Sequence, residues 1–440
     1  MMLSGWGRHP RMECTVSRPR DLREILTAAQ NKRVIARGNG RAYGDSALNP
    51  AGTIDMRGFS RILAFDQESG RVVAESGVLL ADIIATFLPR GWFPAVTPGT
   101  KFVTIGGMIA ADVHGKNHHK HGSFASFLDW MDVLCADGEV RRASRDENAE
   151  LFHWTTGGMG LTGIILRAGF RLTPVETGWI RQRTVPARDL SAAMTVFEAE
   201  QAATYSVAWI DCLSTGRSTG RSLVMLGEHA LAAELAPRQK SDPFAGKRRA
   251  GRRIPFDFPG FVLGPLTVKA FNTLYYHKGA WGAGEKLVDF DSYFYPLDAI
   301  LEWNRIYGRR GFGQFQCVIP LAAAKAGLEA LLAAIAKAGQ GSFLAVLKRM
   351  GPQQSCFSFP MEGYTLALDF PVRRDTARLF AELERIAIDH GGRFYLAKDS
   401  FLTADRLRAA DPRTPSFGTM RRQSRSIERF CSAQSERLDI

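Results

Sequence analysis

Histidine is concentrated in one short segment of this chain. Four of its nine histidines fall among the last eight residues of Asp112-Val113-His114-Gly115-Lys116-Asn117-His118-His119-Lys120-His121. Imidazole groups bind zinc and also carry protons near neutral pH, so the segment suggests either a metal site or a reaction centre. Zinc needs three or four ligands that converge on one point, whereas neighbouring histidines on a loop point in different directions. The spacing therefore predicts no metal site.

Glycine-rich segments lie on both sides of these histidines. Residues 38–45 (GNGRAYGD) follow a strand-like run and lack the Gly-Lys-Ser/Thr ending of a nucleotide-binding P-loop, but their backbone N–H groups could approach a phosphate. Residues 158–163 (GMGLTG) fit the pattern G-x-G-x-x-G. A strand-like run follows them at 164–170, where a dinucleotide-binding motif requires a helix, so we reject that interpretation. Taken singly, each loop is more typical of a tight turn.

Length and composition indicate a globular chain of two domains. The 440 residues exceed what one hydrophobic core usually serves, and the content of 45% hydrophobic and 23% charged residues is ordinary. No apolar run approaches the ~20 residues of a membrane-spanning helix, and the first residues lack the apolar core of a secretory signal. A cytoplasmic location is expected, with the periplasmic face left open. The six cysteines form no C-x-x-C pair and are expected to be reduced.

The formal charge of +13 favours anionic partners without saying which. The densest basic segment is 238–253, where seven Lys/Arg accompany one Asp among Pro and Gly. It is either a solvated surface loop or a contact with anionic lipid headgroups, and an anionic membrane surface is a possible partner. No nucleic-acid partner is predicted, because no helix-turn-helix, zinc finger or aromatic stacking motif accompanies the basic residues.

The hydrophobic pattern predicts a mixed α/β arrangement. Two hairpins are expected, at 61–76 and around Asp137-Gly138, with a helix at 78–90 between them. In the later third, strands at 314–319, 342–348, 364–370 and 393–397 alternate with helices at 321–338 and 376–390. This β-α-β-β-α-β order is typical of a ferredoxin-like unit, whose sheet leaves one face free to cover a cofactor. No internal repeat is visible.

Taken together, the loops resemble the successive FAD-contacting loops of the vanillyl-alcohol oxidase flavoprotein superfamily. The resemblance is carried by residues 36–45 (ARGNGRAYGD), 98–100 (PGT), 103–107 (VTIGG), 112–119 (DVHGKNHH) and 157–165 (GGMGLTGII), and by later landmarks at 208–209 (AW), 296–298 (PLD), 302–305 (EWNR), 314, 316, 348, 369–371 (DFP) and 395–400 (YLAKDS). It covers nearly the whole chain. It implies an α+β fold with a PCMH-type FAD-binding domain at 1–178, a substrate-binding domain containing the ferredoxin-like unit at 179–392, and a C-terminal segment at 393–440 that returns to the FAD-binding domain.

The resemblance also implies roles for individual residues. Residues implied to bind FAD are Ala36, Arg37, Gly38, Asn39, Gly40, Arg41, Ala42, Tyr43, Gly44, Asp45, Gly99, Thr104, Ile105, Gly106, Gly107, Ala111, Asp112, Val113, His114, Gly115, Asn117, Ile165 and Tyr395. Lys398 is the preferred base or hydrogen-bond donor, because a lysine desolvated beside a cofactor can have its pKa lowered toward neutrality. Lys116 and Lys348 would hold anionic oxygen, and Gln316 would orient a sugar hydroxyl. His114 is the alternative proton acceptor.

Departures from the pattern of the superfamily are also informative. Many relatives tether FAD through a histidine in the first glycine-rich loop, but this chain has Arg41 there, so non-covalent FAD is predicted. Cys135 and Cys212 stay open as other tethers. Ala367 stands in place of a pocket cysteine, Val207 in place of a serine and Phe294 in place of a tyrosine. These losses of polar groups put the identity of the substrate in doubt.

The resemblance implies FAD-dependent oxidation of the ribose 2-hydroxyl of a polyprenylphosphoryl-β-D-ribose to the 2-keto sugar. This is the first half of an epimerisation to the arabinose donor for cell-envelope glycans, completed by an NADH-dependent short-chain reductase. A lipid substrate would favour peripheral association with a membrane. Two alternatives stay open, a soluble alditol or aldonolactone oxidase of the same fold, and a non-catalytic membrane or polyanion-binding protein that retains the flavin fold.

Overall fold

The protein is built from two units and a C-terminal helical segment. The structure is a computed structural model that describes residues 1–30, 32–244 and 251–440. Part of the predicted basic segment, residues 245–250, lies outside the described residues. The predicted α+β class is confirmed, because the large sheets of both units are antiparallel and the helices are separate from them.

The first unit contains a three-stranded parallel sheet and a six-stranded antiparallel sheet, which has the order β10-β9-β11-β7-β6 with β8 paired to β11. Its strands and helices are β1 (Met2–Ser4), β2 (Arg11–Glu13), β3 (Val16–Ser17), α1 (Leu22–Ala29), β4 (Ile35–Arg37), β5 (Thr53–Asp55), β6 (Ile62–Asp66), β7 (Arg71–Glu75), α2 (Leu80–Phe87), β8 (Trp92–Pro94), α3 (Ile105–Ala110), α4 (His118–His121), β9 (Leu128–Leu134), β10 (Val140–Ser144), α5 (Ala149–Thr155) and β11 (Ile164–Pro174).

Both predicted hairpins are confirmed, and local chemistry explains them. The turn between β6 and β7 places Gly70 at φ +69°, and the turn between β9 and β10 places Gly138 at φ +90°. Only glycine adopts these conformations without strain. The predicted helix is α2, whose buried Leu80, Ile83, Ile84 and Phe87 recur at the i, i+3, i+4, i+7 spacing of one helical face.

The second unit is one eight-stranded antiparallel sheet with helices packed on one side. Its elements are β12 (Trp179–Ala187), α6 (Leu190–Ala199), β13 (Tyr205–Ile210), β14 (Ser222–His229), α7 (Pro237–Lys240), β15 (Arg252–Arg253), α8 (Pro265–Trp281), β16 (Gly284–Asp289), α9 (Phe290–Phe294), β17 (Ile300–Leu301), β18 (Phe312–Pro320), α10 (Leu321–Ala338), β19 (Ala345–Met350), β20 (Gly363–Pro371), α11 (Thr376–Asp389) and β21 (Arg393–Phe394). The strand order is β16-β12-β14-β13-β19-β20-β18-β21.

This strand order contains the ferredoxin-like arrangement twice. The predicted unit, β18-α10-β19-β20-α11-β21, is confirmed, with its fourth, first, third and second strands adjacent in that order. The segment β12-α6-β13-β14-α8-β16 repeats the same order, and β13 joins β19 where Ala208 faces Leu347 and Trp209 faces Val346. The two ferredoxin-like arrangements share a topology but not a residue pattern. The sequence therefore shows no repeat, and the second arrangement was not predicted.

Alternation along the strands gives the sheet two different faces. In β18, Phe315, Cys317 and Ile319 pack into the helix-covered core, whereas Gln314 and Gln316 point to the opposite side. Pairing places Lys348, Ala367 and Asp369 of β19 and β20 on this same opposite face. The helices bury the apolar face, and the polar face is left for the first unit to cover.

The C-terminal segment connects the sheet with the first unit. The predicted last strand, 393–397, is shorter in the structure, because after Phe394 the chain turns, with the N–H of Lys398 donating to the carbonyl of Tyr395. Four helices follow, α12 (Ala404–Ala410), α13 (Thr414–Gln423), α14 (Ser426–Arg429) and α15 (Ala433–Leu438). The buried Arg421 donates to the carbonyls of Leu161, Phe430 and Ile440, so it fixes these helices to the first unit.

Candidate active site

A cavity lies between the loops of the first unit and the polar face of the eight-stranded sheet. The loop side is formed by residues that follow β4 and precede α3, and the sheet side includes Gln314, Gln316, Lys348 and Asp369. Predicted FAD-binding residues on its wall are Ala36, Arg37, Gly38, Asn39, Gly40, Arg41, Ala42, Tyr43, Gly44, Gly99, Thr104, Gly106, Gly107, Ala111, Val113, His114, Ile165 and Tyr395. The fold therefore brings together segments that are separated by up to several hundred residues.

Close packing of glycines holds the loops around this cavity. A Cβ on Gly38 would lie 2.2 Å from Oγ1 of Thr104, and one on Gly44 would lie 2.0 Å from the carbonyl oxygen of Asp399. No side chain larger than hydrogen fits at either position. Thr104 also caps α3 by accepting from the N–H of Gly107 at 3.3 Å, so the first two loops and the C-terminal segment fix one another.

Several polar atoms on the cavity wall are buried without a protein partner. They are Nε of Arg41, Oγ of Ser76 and Nδ1 of His114. Buried polar groups are normally hydrogen-bonded, so these atoms fit a ligand with many polar atoms. The glycine loops expose backbone to the cavity and leave room for a phosphate-bearing cofactor. Together with the unpaired donors and acceptors, they fit FAD.

Lys398 lies beside the sheet face, with Nζ 3.7 Å from the ring centroid of Tyr43. Asp369, on the same face, accepts hydrogen bonds from Nε2 of Gln314 and from the hydroxyl of Tyr307, the latter at 3.4 Å. These five residues come from β18, β20, the first glycine-rich loop, the 3-10 turn at Trp303–Tyr307 and the turn after β21, and all five are buried or line the cavity. They form a compact proton-handling group at one wall of the cavity.

Burial dominates the electrostatics of this group. It lowers the pKa of Lys398 to about 7, with a further lowering by the charge of Lys348 and an opposing effect of the Asp369 carboxylate. Burial also raises the pKa of Asp369, and it lowers the pKa of Lys348 to about 8. Water is excluded, so the charged forms lose hydration that no neighbour fully replaces. A lysine in this state can exchange a proton near neutral pH.

His114 is held as a neutral imidazole. Its Nε2 lies 3.2 Å from Nε2 of Gln316, and since the amide nitrogen can only donate, the imidazole Nε2 accepts and the proton is on Nδ1. Burial first, and then the charges of Lys348, His118 and Lys398, hold the pKa of His114 well below its usual range. The ring therefore presents a free N–H donor, and its acceptor nitrogen is already used.

Six of the predicted residues do not line the cavity, so their contact with cofactor or substrate stays a prediction. They are Asp45, Ile105, Asp112, Gly115, Asn117 and Lys116. Ile105 belongs to the apolar core, and Asp45 pairs with Arg437 at 2.7 Å. The other residues hold the histidine-containing loop, for example through Nδ2 of Asn117, which donates to the carbonyl of Ala95 at 2.7 Å. Their function is to shape the loops.

Lys116 is the one predicted catalytic residue that lies away from the cavity wall. Its Nζ donates to the carbonyl of Tyr293 and lies 4.0 Å from the centroid of that ring, and its carbonyl accepts from the N–H of Ser206 at 2.8 Å. Burial lowers its pKa to about 7. The side chain thus joins the first unit to the second one, whereas Lys348 lines the cavity on the sheet side.

The remaining histidines of the opening segment have separate partners. Nε2 of His118 is 2.8 Å from Oε1 of Gln353, Nε2 of His119 is 2.8 Å from the carbonyl of Ala203, and Nδ1 of His121 is 3.1 Å from Nδ2 of Asn117. In the parts of the chain that the structure describes, no three His, Cys, Asp or Glu side chains gather as metal ligands would. The six cysteines are unpaired thiols, and Cys135 and Cys212 do not line the cavity.

Sequence analysis assigned no chemical role to three residues of the wall. Asp369 and Gln314 were only landmarks of the resemblance, and Ser76 was not identified. An acidic residue at a buried position of the apolar strand Leu366-Ala367-Leu368-Asp369-Phe370 was the available signal for Asp369. Ser76 follows β7 without any motif, so only the fold reveals it.

Comparisons with known proteins agree with this geometry. Residues 10–144 match the family model described as an FAD binding domain. The decaprenylphosphoryl-beta-D-ribose oxidase of Mycolicibacterium smegmatis is 36% identical over 449 aligned residues, which cover 100% of this chain and 97% of that protein. An uncharacterized protein of Streptomyces coelicolor is 32% identical over 372 residues, covering 82% of this chain and 99% of that protein. The L-gulonolactone oxidase of Bos taurus is 31% identical over 171 residues, or 38% of this chain and 39% of that protein.

The prediction of FAD as cofactor is confirmed by the matching domain and by these relatives. The prediction that the protein is an enzyme acting through this cofactor is confirmed as well, which removes the alternative of a non-catalytic flavin fold. With identity extending over the whole length, the chain belongs to the family of FAD-dependent oxidoreductases that includes the mycobacterial decaprenylphosphoryl-β-D-ribose oxidase.

Proposed function

We propose that this oxidoreductase converts the ribose 2-hydroxyl of a polyprenylphosphoryl-β-D-ribose to a ketone. The observation that carries the proposal is the pair of half-buried lysines, Lys348 and Lys398, on a wall where Asp369 is the neighbouring carboxyl group. The lower pKa of Lys398 lets it work as the unprotonated base, whereas desolvating the ammonium group of Lys348 is costly unless an anionic ligand compensates. A phosphate-bearing sugar supplies such an anion, whereas a free polyol does not.

Each polar residue on the sheet face has a part in this reaction. Lys398, whose pKa is lowered by burial, accepts the proton of the reacting hydroxyl. Lys348 holds phosphate oxygen, and Gln316, fixed by Oγ1 of Thr365 at 3.2 Å, orients a neighbouring hydroxyl. His114 contributes its free Nδ1–H as a donor. FAD, when bound, supplies the acceptor for the hydride that leaves the carbinol carbon.

The rest of the cavity wall suits a lipid-linked sugar. Leu297, Ile300, Leu301, Leu344 and Val346 line it on the side of the second unit. Apolar side chains there favour the first isoprene units of a prenyl chain over water. Ala367, where relatives of this superfamily can carry a cysteine, adds to this apolar surface.

The 2-keto product requires a second reaction. A ketone at this carbon can be reduced from the opposite side, which inverts the centre and gives the arabinose configuration. We propose an NADH-dependent short-chain reductase as the enzyme that consumes the product, so that the pair makes the arabinose donor for cell-envelope glycans. The reductase supplies the two electrons of that step from NADH.

The test is anaerobic bleaching of the protein-bound flavin. Prenylphosphoryl ribose is expected to reduce the flavin rapidly, and xylitol, sorbitol and L-gulonolactone are expected to leave it oxidised. Lys348→Met should weaken reduction by the prenylphosphoryl sugar while the FAD content is unchanged. Rapid reduction by free polyols or by the lactone, with no effect of the phosphate, would instead indicate the soluble alditol or aldonolactone oxidase.

A further inference from the structure

Helix α8 carries two apolar faces, of which the protein buries only one. Val268, Asn272, Tyr276 and Gly279 follow one another at helical spacing on the side that packs against the sheet. The packing continues through Tyr275, whose ring centroid is 4.7 Å from that of Trp209. This side attaches α8 to the second unit.

The opposite side of α8 is an exposed apolar stripe. Leu266, Leu274 and Trp281 are 83%, 71% and 95% exposed, and with Ala270 and His277 they recur at intervals of three or four residues. At 3.6 residues per turn these positions form one line along the helix. A fully exposed Trp at the end of such a line is costly in water, since it leaves a large aromatic surface unburied.

Basic residues border the stripe on both sides. At about 100° per residue, Lys269 and Lys278 fall on either side of the line from Leu266 to Trp281, and both are exposed. Residues 238–281 contain nine Lys/Arg and two Asp, in a chain whose net charge is +13. Apolar side chains flanked by lysines, with a tryptophan among them, are the pattern of a helix that lies in the interface of an anionic bilayer.

The segments next to the stripe contact parts of the chain that line the cavity. Phe261, 76% exposed, belongs to a 3-10 turn at Gly260–Leu263 immediately before α8, and this turn packs against the turn at Trp303–Tyr307. Strand β17, with Ile300 and Leu301 on the cavity wall, pairs with the basic strand β15. The apolar and basic surface therefore lies beside the apolar wall of the cavity.

We propose that the outer stripe of α8 (Leu266, Leu274 and Trp281, with Phe261) inserts into the headgroup region of an anionic membrane. In this orientation the opening of the cavity is turned toward the lipid. The inference rests on the proposed function in that a prenyl tail can then stay in the bilayer while its sugar enters the cavity. In residues 1–30, 32–244 and 251–440, no helix is long and apolar enough to cross a membrane. Attachment through α8 is thus peripheral.

Vesicle flotation of the FAD-loaded full chain tests this proposal. Vesicles of phosphatidylcholine with phosphatidylglycerol are expected to bind the wild type, and pure phosphatidylcholine is expected to bind it much less. The variant Leu266→Gln/Leu274→Gln/Trp281→Gln should bind the anionic vesicles at least about tenfold more weakly. A matched variant, Leu63→Gln/Leu231→Gln, changes leucines that are exposed elsewhere and should bind as the wild type does.

Vesicle binding, oligomeric state, FAD content, melting temperature and flavin bleaching together separate the outcomes. The proposal is overturned if the stripe variant and the wild type bind vesicles equally, or if neither binds. It is also overturned if the wild type is a dimer and the stripe variant is a monomer that still binds vesicles, because the stripe is then a dimer interface. FAD content and melting temperature show that the variant is folded. Flavin bleaching by a short, water-soluble prenylphosphoryl ribose should be unchanged in the stripe variant. If no prenylphosphoryl sugar bleaches the flavin but the stripe still binds vesicles, the proposed substrate fails and the membrane surface stands.

Discussion

Replacing Asp369 by Asn removes one charge from the proton-handling group and leaves its shape unchanged. The carboxyl group is buried and accepts from Gln314 and Tyr307, and its negative charge raises the pKa of Lys398 against the lowering by burial and by Lys348. An asparagine at this position cannot supply that charge. The pKa of Lys398 should therefore fall further below its ordinary value of 10.5 in the Asp369→Asn variant.

The size of this shift follows from the burial of both groups. An opposite charge close to a buried ionisable group shifts its pKa by about 1–3 units, because little solvent screens the pair. Lys398 must be unprotonated to accept the proton of the hydroxyl, so the rate of flavin reduction rises with pH through the pKa of Lys398. In the wild type this inflection is expected at about 7. In Asp369→Asn it should move toward acid by about 1–3 units, so at pH values well below both inflections the variant should be about tenfold or more faster than the wild type, each relative to its own plateau.

The measurement is the pH dependence of anaerobic flavin reduction in a stopped-flow instrument. Asp298→Asn is the matched control, because Asp298 is a second, half-buried carboxyl group on the cavity wall and is not among the groups that shift the pKa of Lys398. The control should keep the wild-type inflection, and Lys398→Met should lose it. An inflection in Asp369→Asn that stays in place or moves toward alkaline pH would refute the reasoning, since Asp369 would then carry its own proton in the working range.

Three further predictions address the cofactor, the cavity and the loop. Gly38→Ala would place Cβ 2.2 Å from Oγ1 of Thr104, so the FAD content, read from the ratio of flavin to protein absorbance, should fall by at least about tenfold; full occupancy would contradict the cradle. Because the cavity wall contains no cysteine, a maleimide should leave flavin reduction by the wild type unchanged. The Ala367→Cys variant places a thiol on this wall and should be inactivated by the same reagent. The prediction is contradicted if the maleimide inactivates the wild type and substrate protects it. Lys116→Met leaves the carbonyl of Tyr293 unpaired, so it should lower the free energy of unfolding by about 1–3 kcal/mol in urea denaturation and leave the KM for substrate unchanged; a raised KM would restore Lys116 as a substrate clamp.

Much of the fold could be predicted because its signals are local. The turns at Gly70 and Gly138 need left-handed backbone, and the apolar spacing of α2 gives a helix wherever the chain places it. The second ferredoxin-like arrangement was missed because strand pairing is non-local. Its last strand, β16, is separated from β14 by a long connection with α7, β15 and α8, so neighbours in the sheet are distant in sequence.

The site shows the same division between near and distant residues. FAD was predicted from the resemblance of the glycine-rich loops, taken together and in order, to those of a flavoprotein superfamily, and the matching domain and relatives confirm it. Lys116 and Lys348 were predicted to have the same role, yet one joins the two units and the other faces the cavity. A lysine side chain can extend in either direction, and only packing against Tyr293 decides which one it takes.

The sequence by itself determined many of the elements through local turn and helix patterns, and it determined the cofactor and the family through a resemblance carried by short motifs in a fixed order along the chain. The tertiary structure alone decided that Asp369, Lys348 and Lys398 share one buried wall, and that His114 is a neutral donor. It also decided that one apolar face of α8 is left in water. These properties depend on distances between segments far apart in the chain and on the water that folding removes, and neither is written in a local pattern.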